Sequence, residues 1–481
     1  MAPASLPAPA AASGGLLSED RLFPAEPSIR AIARRLYGHV RALPIVSPHG
    51  HTDAGWFARN EPFADPATLL VIPDHYVFRM LYSQGISLES LGIPRLDGTA
   101  VEQDSRKIWR LLADHFYLFR GTPTRMWMTH ALSEVFGIRE RLGPESADRI
   151  YDTIADSLLR PDFRPRALFE RFGIEVLATT ESPLDSLAHH RELRQSGWKG
   201  RVITAFRPDP VLDPEYEGFI DGVIKLGEIT GEDTSSWSGY LRALVQRRQF
   251  FASLGATATD HGHPTAATFD LPRSECERLF RKVSVGDASP AEAEHFRGQM
   301  LNEMARMSLD DGLVMQLHPG ASRNHNPSLY EAFGRDKGAD VPTRTDYVRA
   351  LKPLLDRFGN DKRFSLIVFT LDESTYAREL APLAGHYPAL KLGPPWWFFD
   401  SPEGMIRYRE SVTATAGFYN TVGFNDDTRA FLSIPARHDV ARRTDCAVLA
   451  RWVAEHRLDE EEAADIAVDL AYRLAKKAYK L

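Results

Sequence analysis

Pro44-Ile45-Val46-Ser47-Pro48-His49-Gly50-His51 is a short apolar run that ends in two histidines two residues apart. On an extended chain, residues i and i+2 face the same way. The pair therefore presents two imidazoles in one direction, which is half of a metal site. An isolated His-x-His is equally a pair of histidines in a surface turn. The rest of the chain decides between these readings.

Working outward, seven more apolar, β-branched runs alternate with long helical stretches. They lie at residues 174–178, 201–206, 254–259, 313–317, 365–369, 390–392 and 421–424. Short buried runs alternating with helices predict parallel βαβ units. Eight units predict an α/β fold, a closed (β/α)8 TIM barrel. The competing open, doubly wound sheet is weakened by the lack of a Gly-x-Gly-x-x-Gly after the first run. Polar or aromatic residues follow seven of the eight runs. These are His49 and His51; Thr179, Thr180 and Glu181; Arg207 and Asp209; Asp260 and His261; His318; Trp396 and Trp397; and Asp427 and Arg429. In a barrel these ends converge on one face, where barrel active sites lie.

The chain has 481 residues, 43% hydrophobic and 26% charged, with a formal net charge of −7. That suits an ordinary globular protein. It gives no basic face for nucleic acid, so no nucleic-acid partner is expected. The absence of an apolar run of about 18 residues predicts no membrane span. Cys276 and Cys446 lie far apart, which suits a reducing cytoplasm rather than a disulfide framework. Residues 1–16 are rich in Ala and Pro, make a poor secretory signal, and are expected to form a disordered tail. Residues 17–481 would then be the barrel domain.

About 125 residues separate the first two runs, far more than a normal barrel connection. Helical patterns at Ser105–Phe119 and Ala147–Leu159 predict a helical subdomain inserted after the first strand, about 60–170, that covers the mouth. Near the C-terminus, Asp459 and Glu462 form a capping-box pattern. Ile466, Leu470 and Leu474 then line one helix face, and no chemistry is assigned to that helix.

The motifs in order resemble the uronate isomerase (glucuronate isomerase) family of the amidohydrolase superfamily. They are His49-Gly50-His51, Asp74-His75-Tyr76, Gly121-x-Pro123 with Thr129-His130, and Thr179-Thr180-Glu181-Ser182-Pro183-Leu184-Asp185. They continue as Phe206-Arg207-Pro208-Asp209, Asp260-His261-Gly262, Gln316-Leu317-His318-Pro319-Gly320 with Arg323-Asn324, Trp396-Trp397-Phe398, and Asp427-Thr428-Arg429. The chain departs from the family's Thr-Asp-Ser-Arg-Ser after the eighth run, reading Asp426-Asp427-Thr428-Arg429-Ala430, so Asp426 is a rival carboxylate.

The resemblance implies isomerisation of D-glucuronate to D-fructuronate, and of D-galacturonate to D-tagaturonate, through an enediol. A small-molecule uronate is then the partner, and a homo-oligomer is compatible with the chain. His49, His51 and Asp427 would hold a divalent metal, zinc first, with positions left open for substrate or water. The resemblance implies that His75 and Tyr76 take part in catalysis, and Asp427 could accept a hydroxyl proton. His318 reads as a substrate contact or fourth ligand. Arg207 and Arg429 read as carboxylate clamps, or as partners of Asp209 and Asp426. Asp260 would contact substrate or orient a neighbour, and Trp396 would wall the site. His261-Gly262-His263, a second His-x-His, is not expected to form a second metal site. The rival activity is hydrolysis of an anionic lactone or ester by the same superfamily chemistry; a non-catalytic sugar-acid-binding protein is a further rival.

Overall fold

The computed structural model describes residues 16–481, so the expected tail lies, but for residue 16, outside the described residues. Nine strands are β1 (Ile45–Ser47), β2 (Ile174–Glu181), β3 (Arg201–Phe206), β4 (Ala258–His261), β5 (Val314–Leu317), β6 (Ala321–Ser322), β7 (Val341–Pro342), β8 (Leu366–Val368) and β9 (Leu390–Leu392). Seven of them form one parallel sheet in the order β1-β2-β3-β4-β5-β8-β9, while β6 and β7 pair as a separate antiparallel ribbon. Each sheet strand pairs with the next one to reach the sheet, as successive βαβ units require.

Three expected strands differ. The second runs on through Thr179 and Thr180 to Glu181 rather than ending at residue 178. The fourth begins at Ala258 rather than residue 254, because residues 254–256 finish the preceding helix, Trp237–Ser253. Leu254 and Ala256 donate to the Phe251 carbonyl, and Gly255, at φ +102°, takes the left-handed conformation that ends such a helix. The eighth, expected at 421–424, is a single parallel bridge from Thr421 to Leu392. Gly423 (φ +77°) turns the chain out of the extended state, and a Cβ there would lie 2.7 Å from the Leu470 carbonyl. Beyond this turn, His51 N–H donates to the Thr428 carbonyl at 3.0 Å, joining the chain after the bridge to the chain after β1.

The segment between β1 and β2 is helical, from Ala54–Arg59 through Pro165–Arg171. Its apolar side chains, among them Phe57, Leu81, Trp109, Leu112 and Ile154, share one buried cluster with Ile45 of β1 and with Ile174 and Leu177 of β2. It is thus packed onto the sheet edge rather than standing on a core of its own. The C-terminal helix carries the expected capping box at Asp459 and Glu462. It runs on to Tyr479, which is fully buried beneath the sheet's interior with Val314, Ile367 and Val422. Tyr479 donates from its hydroxyl to Gln316 Oε1 (2.8 Å) and accepts from Asn425 Nδ2 (3.1 Å).

Candidate active site

The strand ends open into a cavity of about 920 Å3. All ten residues singled out from the sequence line it: His49, His51, His75, Tyr76, Arg207, Asp260, His318, Trp396, Asp427 and Arg429.

His49 and His51 follow β1, and both point Nε2 at one oxygen of Asp427, at 3.5 and 3.2 Å. Donors around a tetrahedral ion at ~2.0–2.2 Å sit roughly 3.3–3.6 Å from one another. Two imidazoles and a carboxylate at this spacing fit a divalent cation, and among the described residues they form one of three such groups. Burial would raise the Asp427 carboxyl, but His49, His51 and His318 outweigh it and hold it well below the usual carboxylate range. Burial also pushes the His51 imidazole down, toward the neutral form a ligand needs. Asp427 sits at φ +36°. Non-glycine residues seldom adopt that region, and such strain gathers at functional sites. Asn324, Asp336 and Trp397, also at positive φ, line the same cavity.

Asp426, the rival carboxylate, is turned away. It is buried outside the cavity lining, with Oδ2 3.0 Å from His438 Nε2. The second group, His49, Asp260 and His318, is already committed internally. His318 Nδ1–H donates to Asp260 Oδ1 at 2.8 Å, and Arg207 Nη1 donates to Asp260 Oδ2 at 3.0 Å. That carboxylate fixes the His318 tautomer and leaves Nε2, which has no protein partner, as the free acceptor. The third group, Asp209, His261 and His263, is likewise buried. Asp209 there accepts from Arg207 Nε and from the Gly262 N–H, both at 3.0 Å.

Arg207 is thus gripped by two aspartates. Burial opposes its charge, but Asp260 and Asp209 more than compensate and raise its pKa. Arg429 pairs with Asp336 (3.0 Å), not with Asp426 as considered from the sequence. Arg323 lies over the Trp397 ring and pairs with Asp340 at 3.2 Å.

Asp74 caps the helix His75–Tyr82, its carboxylate accepting from the Tyr76 N–H at 2.9 Å. The cap starts the helix at the cavity wall, with His75 and Tyr76 in its first turn. Their rings stack at 4.8 Å. Burial and Arg429 push the His75 imidazole down to about 3, so it is neutral near pH 7. Burial raises the Tyr76 phenol well above its usual value.

Sequence reasoning gave no role to Asp336, Asp340, Asp400 or Arg437. Asp336 and Asp340 fall in irregular chain after β6, where no periodicity marks a residue. Glu181 stood in a quoted motif without a role; it lines the cavity, and burial raises it to about 7. Gln316 likewise had none, yet its side-chain amide lies 3.5 Å from His49 Nδ1. With Tyr479 behind it, Gln316 links the C-terminal helix to His49.

A sequence model of the glucuronate isomerase family matches residues 27–479. The uronate isomerase of Xanthomonas campestris pv. campestris (strain B100) is 66% identical over 466 residues, covering 97% of this chain and 99% of the relative. The crystal structure of glucuronate isomerase from Caulobacter crescentus superposes with a TM-score of 0.95 at 62% identity, covering 96% of this chain and 97% of that one. That of uronate isomerase from Thermotoga maritima superposes with a TM-score of 0.90 at 28% identity, covering 96% and 99%. With matches running nearly end to end in both sequence and fold, this chain belongs to the uronate (glucuronate) isomerase family.

Proposed function

We propose that this chain converts D-glucuronate to D-fructuronate, and D-galacturonate to D-tagaturonate, by metal-assisted proton transfer through an enediol. One observation carries the reading. Arg207 and Arg429 open into the same cavity as the His49–His51–Asp427 group, and a uronate needs a cationic grip beside the carbon centre that reacts.

Zinc is the first choice for the site, where a divalent ion would act as a Lewis acid on the sugar's oxygens. The roles of the chain's own residues follow from their environments. Arg429 would bind the sugar's carboxylate, exchanging it for Asp336. Arg207, locked in place, would offer its remaining N–H groups to sugar oxygens. His318 Nε2, free of protein partners, would accept from a hydroxyl. Asp427, held ionised, would take the hydroxyl proton on ring opening. Tyr76 would move the proton between C2 and C1, and neutral His75 would orient it by stacking. Trp396, whose ring meets His318 edge-on at 4.7 Å, would wall the site and exclude water.

The same reading takes the sheet as a (β/α)8 barrel whose eighth strand is reduced to the Thr421 bridge. Residues 17–481 are then one barrel domain, with the helices at about 60–170 an insertion over the mouth. The chain would work in the cytoplasm on small-molecule uronates.

The test is NMR of zinc-loaded protein with D-glucuronate in D2O. Ketose product is expected, with deuterium at C1 marking exchange at an enediol. No product from either uronate, with metal bound stoichiometrically, would refute the proposal and turn attention to lactones and esters.

A further inference from the structure

Behind Tyr76 lies a buried carboxylate that the reading above leaves unused. Tyr76 donates from its hydroxyl to Asp400 Oδ2 at 3.3 Å. Arg437 Nη1 donates to the same oxygen at 2.6 Å. The three residues come from three distant elements: Tyr76 from the helix His75–Tyr82, Asp400 from the end of the turn Trp397–Phe399, and Arg437 from the helix Ile434–Ala454. Both Asp400 and Arg437 are more than nine-tenths buried.

Arg437 is itself fixed. Its guanidinium lies 3.5 Å from the Trp127 ring centre. Nε donates to Ser433 Oγ at 3.1 Å, and Nη1 reaches the Asp426 carbonyl at 3.3 Å. Asp426 directly precedes Asp427, so one arginine ties the carboxylate behind Tyr76 to the loop that carries the metal-site aspartate.

Direction matters here. With its O–H bond spent on Asp400, the Tyr76 oxygen can turn only a lone pair toward the cavity. A phenol oriented in this way accepts protons. Burial opposes the phenolate, so Tyr76 cannot stand ionised in advance and must lose its proton as it gains another.

We propose that Asp400, clamped by Arg437, is a positioning residue that acts through Tyr76 by receiving the phenolic proton during each proton abstraction. This rests on the role for Tyr76 proposed above. As the C2–H bond breaks, its electron pair forms the C1=C2 bond, the C1=O π pair moves to O1 to give the enediolate, and the proton bonds to the Tyr76 oxygen. The original Tyr76 proton passes to an Asp400 oxygen. The O2 hydroxyl proton passes to O1, and as the O2 pair forms the C2=O bond the C1=C2 pair takes the proton from Tyr76 to C1, while Asp400 returns its proton to Tyr76. No further reactant is consumed.

The charged and titratable groups that act on Asp400 are Arg437, Tyr76 and, at longer range, Asp427. Burial raises Asp400 to about 6, against the opposing pull of Arg437. It is therefore ionised and able to accept near pH 7, and turnover should fall as pH drops through about 6.

The test compares metal-loaded wild type with D400N, D400E, Y76F and the double variant Y76F/D400N. Metal content and melting temperature are measured on each. D400N is expected to lower kcat about 100-fold, the low end for a proton-transfer group. KM should stay within about twofold, as for an interaction made only in the transition state, and the limb near pH 6 should disappear. Adding D400N to Y76F should cost nothing further. D400E should keep a carboxylate limb at a shifted pH and recover part of the rate. An equal loss from D400N in both backgrounds, or a rise in KM at unchanged kcat, would overturn the proposal. If D400N does not fold, D400E decides: a pH profile and rate identical to wild type would overturn it. Near-normal turnover by Y76F would sink the Tyr76 assignment and this proposal together. Loss in Y76F with D400N intact would sink this proposal alone.

Discussion

Gly262 follows β4 and supplies the space in which Arg207 is held. A Cβ built on it falls inside van der Waals contact with Arg207 Nη2, 3.0 Å from Asp209 Oδ2 and 3.2 Å from Arg323 Nη2. Its φ is not positive, so alanine meets no backbone strain there and the whole effect of G262A is side-chain volume. A flexible arginine would swing aside cheaply, but this one cannot. Nε and Nη1 are pinned by Asp209 and Asp260, each at 3.0 Å. Moving the guanidinium far enough to clear a methyl group strains the packing by about 1–3 kcal/mol. It also weakens a charge-assisted hydrogen bond worth about 1.5–3 kcal/mol. If one such bond is lost from the bound state, kcat/KM for glucuronate falls about 10- to 100-fold at 1.36 kcal/mol per decade. Steady-state kinetics and thermal unfolding on the same preparation test this. The expected result is a lower kcat/KM with a modest drop in melting temperature. A kcat/KM within twofold of wild type, with an unchanged melting temperature, would refute the claim that Arg207 is held too tightly to yield.

Three other outcomes follow from the geometry. D427N should abolish turnover and release metal while leaving the fold intact, because the amide cannot supply the charge that His49 and His51 share; near-normal turnover with full metal content would sink the metal assignment. R429K should raise KM for uronates about tenfold, since an ammonium lacks the planar fork that matches a carboxylate; an unchanged KM would move the clamp elsewhere. Stability should fall on acidification from pH 6.5 toward 4, in part through His190. Burial lowers its imidazole from 6.5 to about 4, so the stability it contributes is present above 6.5 and is lost as pH falls through that window. H190Q should flatten the slope of unfolding free energy against pH there, and an unaltered slope would show that other groups set it.

Much of the site was legible at strand ends, Glu181 and Gln316 excepted, because a parallel sheet sends the chain after each strand to the same face. His49, His51, Arg207, Asp260 and His318 were all read on that ground, and all line the cavity. What stayed hidden depends on pairings between remote segments. Arg429 was weighed against its neighbour Asp426, but its partner is Asp336, 93 residues away. Asp426 instead meets His438 from the helix behind it. Tyr479, on a helix read as purely structural, reaches Gln316 across 163 residues. Strand limits failed for local reasons that periodicity does not report. Leu254 is apolar and β-compatible by position, yet it belongs to the end of a helix. The run 421–424 is apolar, yet Gly423 bends it after one bridge.

The pairing of the cavity's arginines bears on how an anion could enter a protein with a net negative charge. None of the three best-placed cations is idle: Arg207 holds Asp209 and Asp260, Arg323 holds Asp340, and Arg429 holds Asp336. Binding a carboxylate here is therefore an exchange of partners, and the pairs differ in how easily they exchange. The aspartates of Arg207 are buried and its own side chain is 26% exposed, and breaking a buried pair costs about 3–5 kcal/mol. The side chains of Arg429 and Asp336 are 42% and 43% exposed, and an ion pair in that setting contributes only about 0–1 kcal/mol. Asp336 is moreover held at φ +60°, a conformation unfavourable for a residue other than glycine. Against the effect of burial, Arg429 and its neighbours Arg323 and Arg207 hold the Asp336 carboxyl below its usual range, yet with this exposure a substrate carboxylate would displace Asp336 from Arg429 more readily than either aspartate from Arg207. On this argument the two arginines would not be equivalent clamps: Arg429 would receive the charge, while Arg207, locked by its aspartates, would set the position of a neutral oxygen.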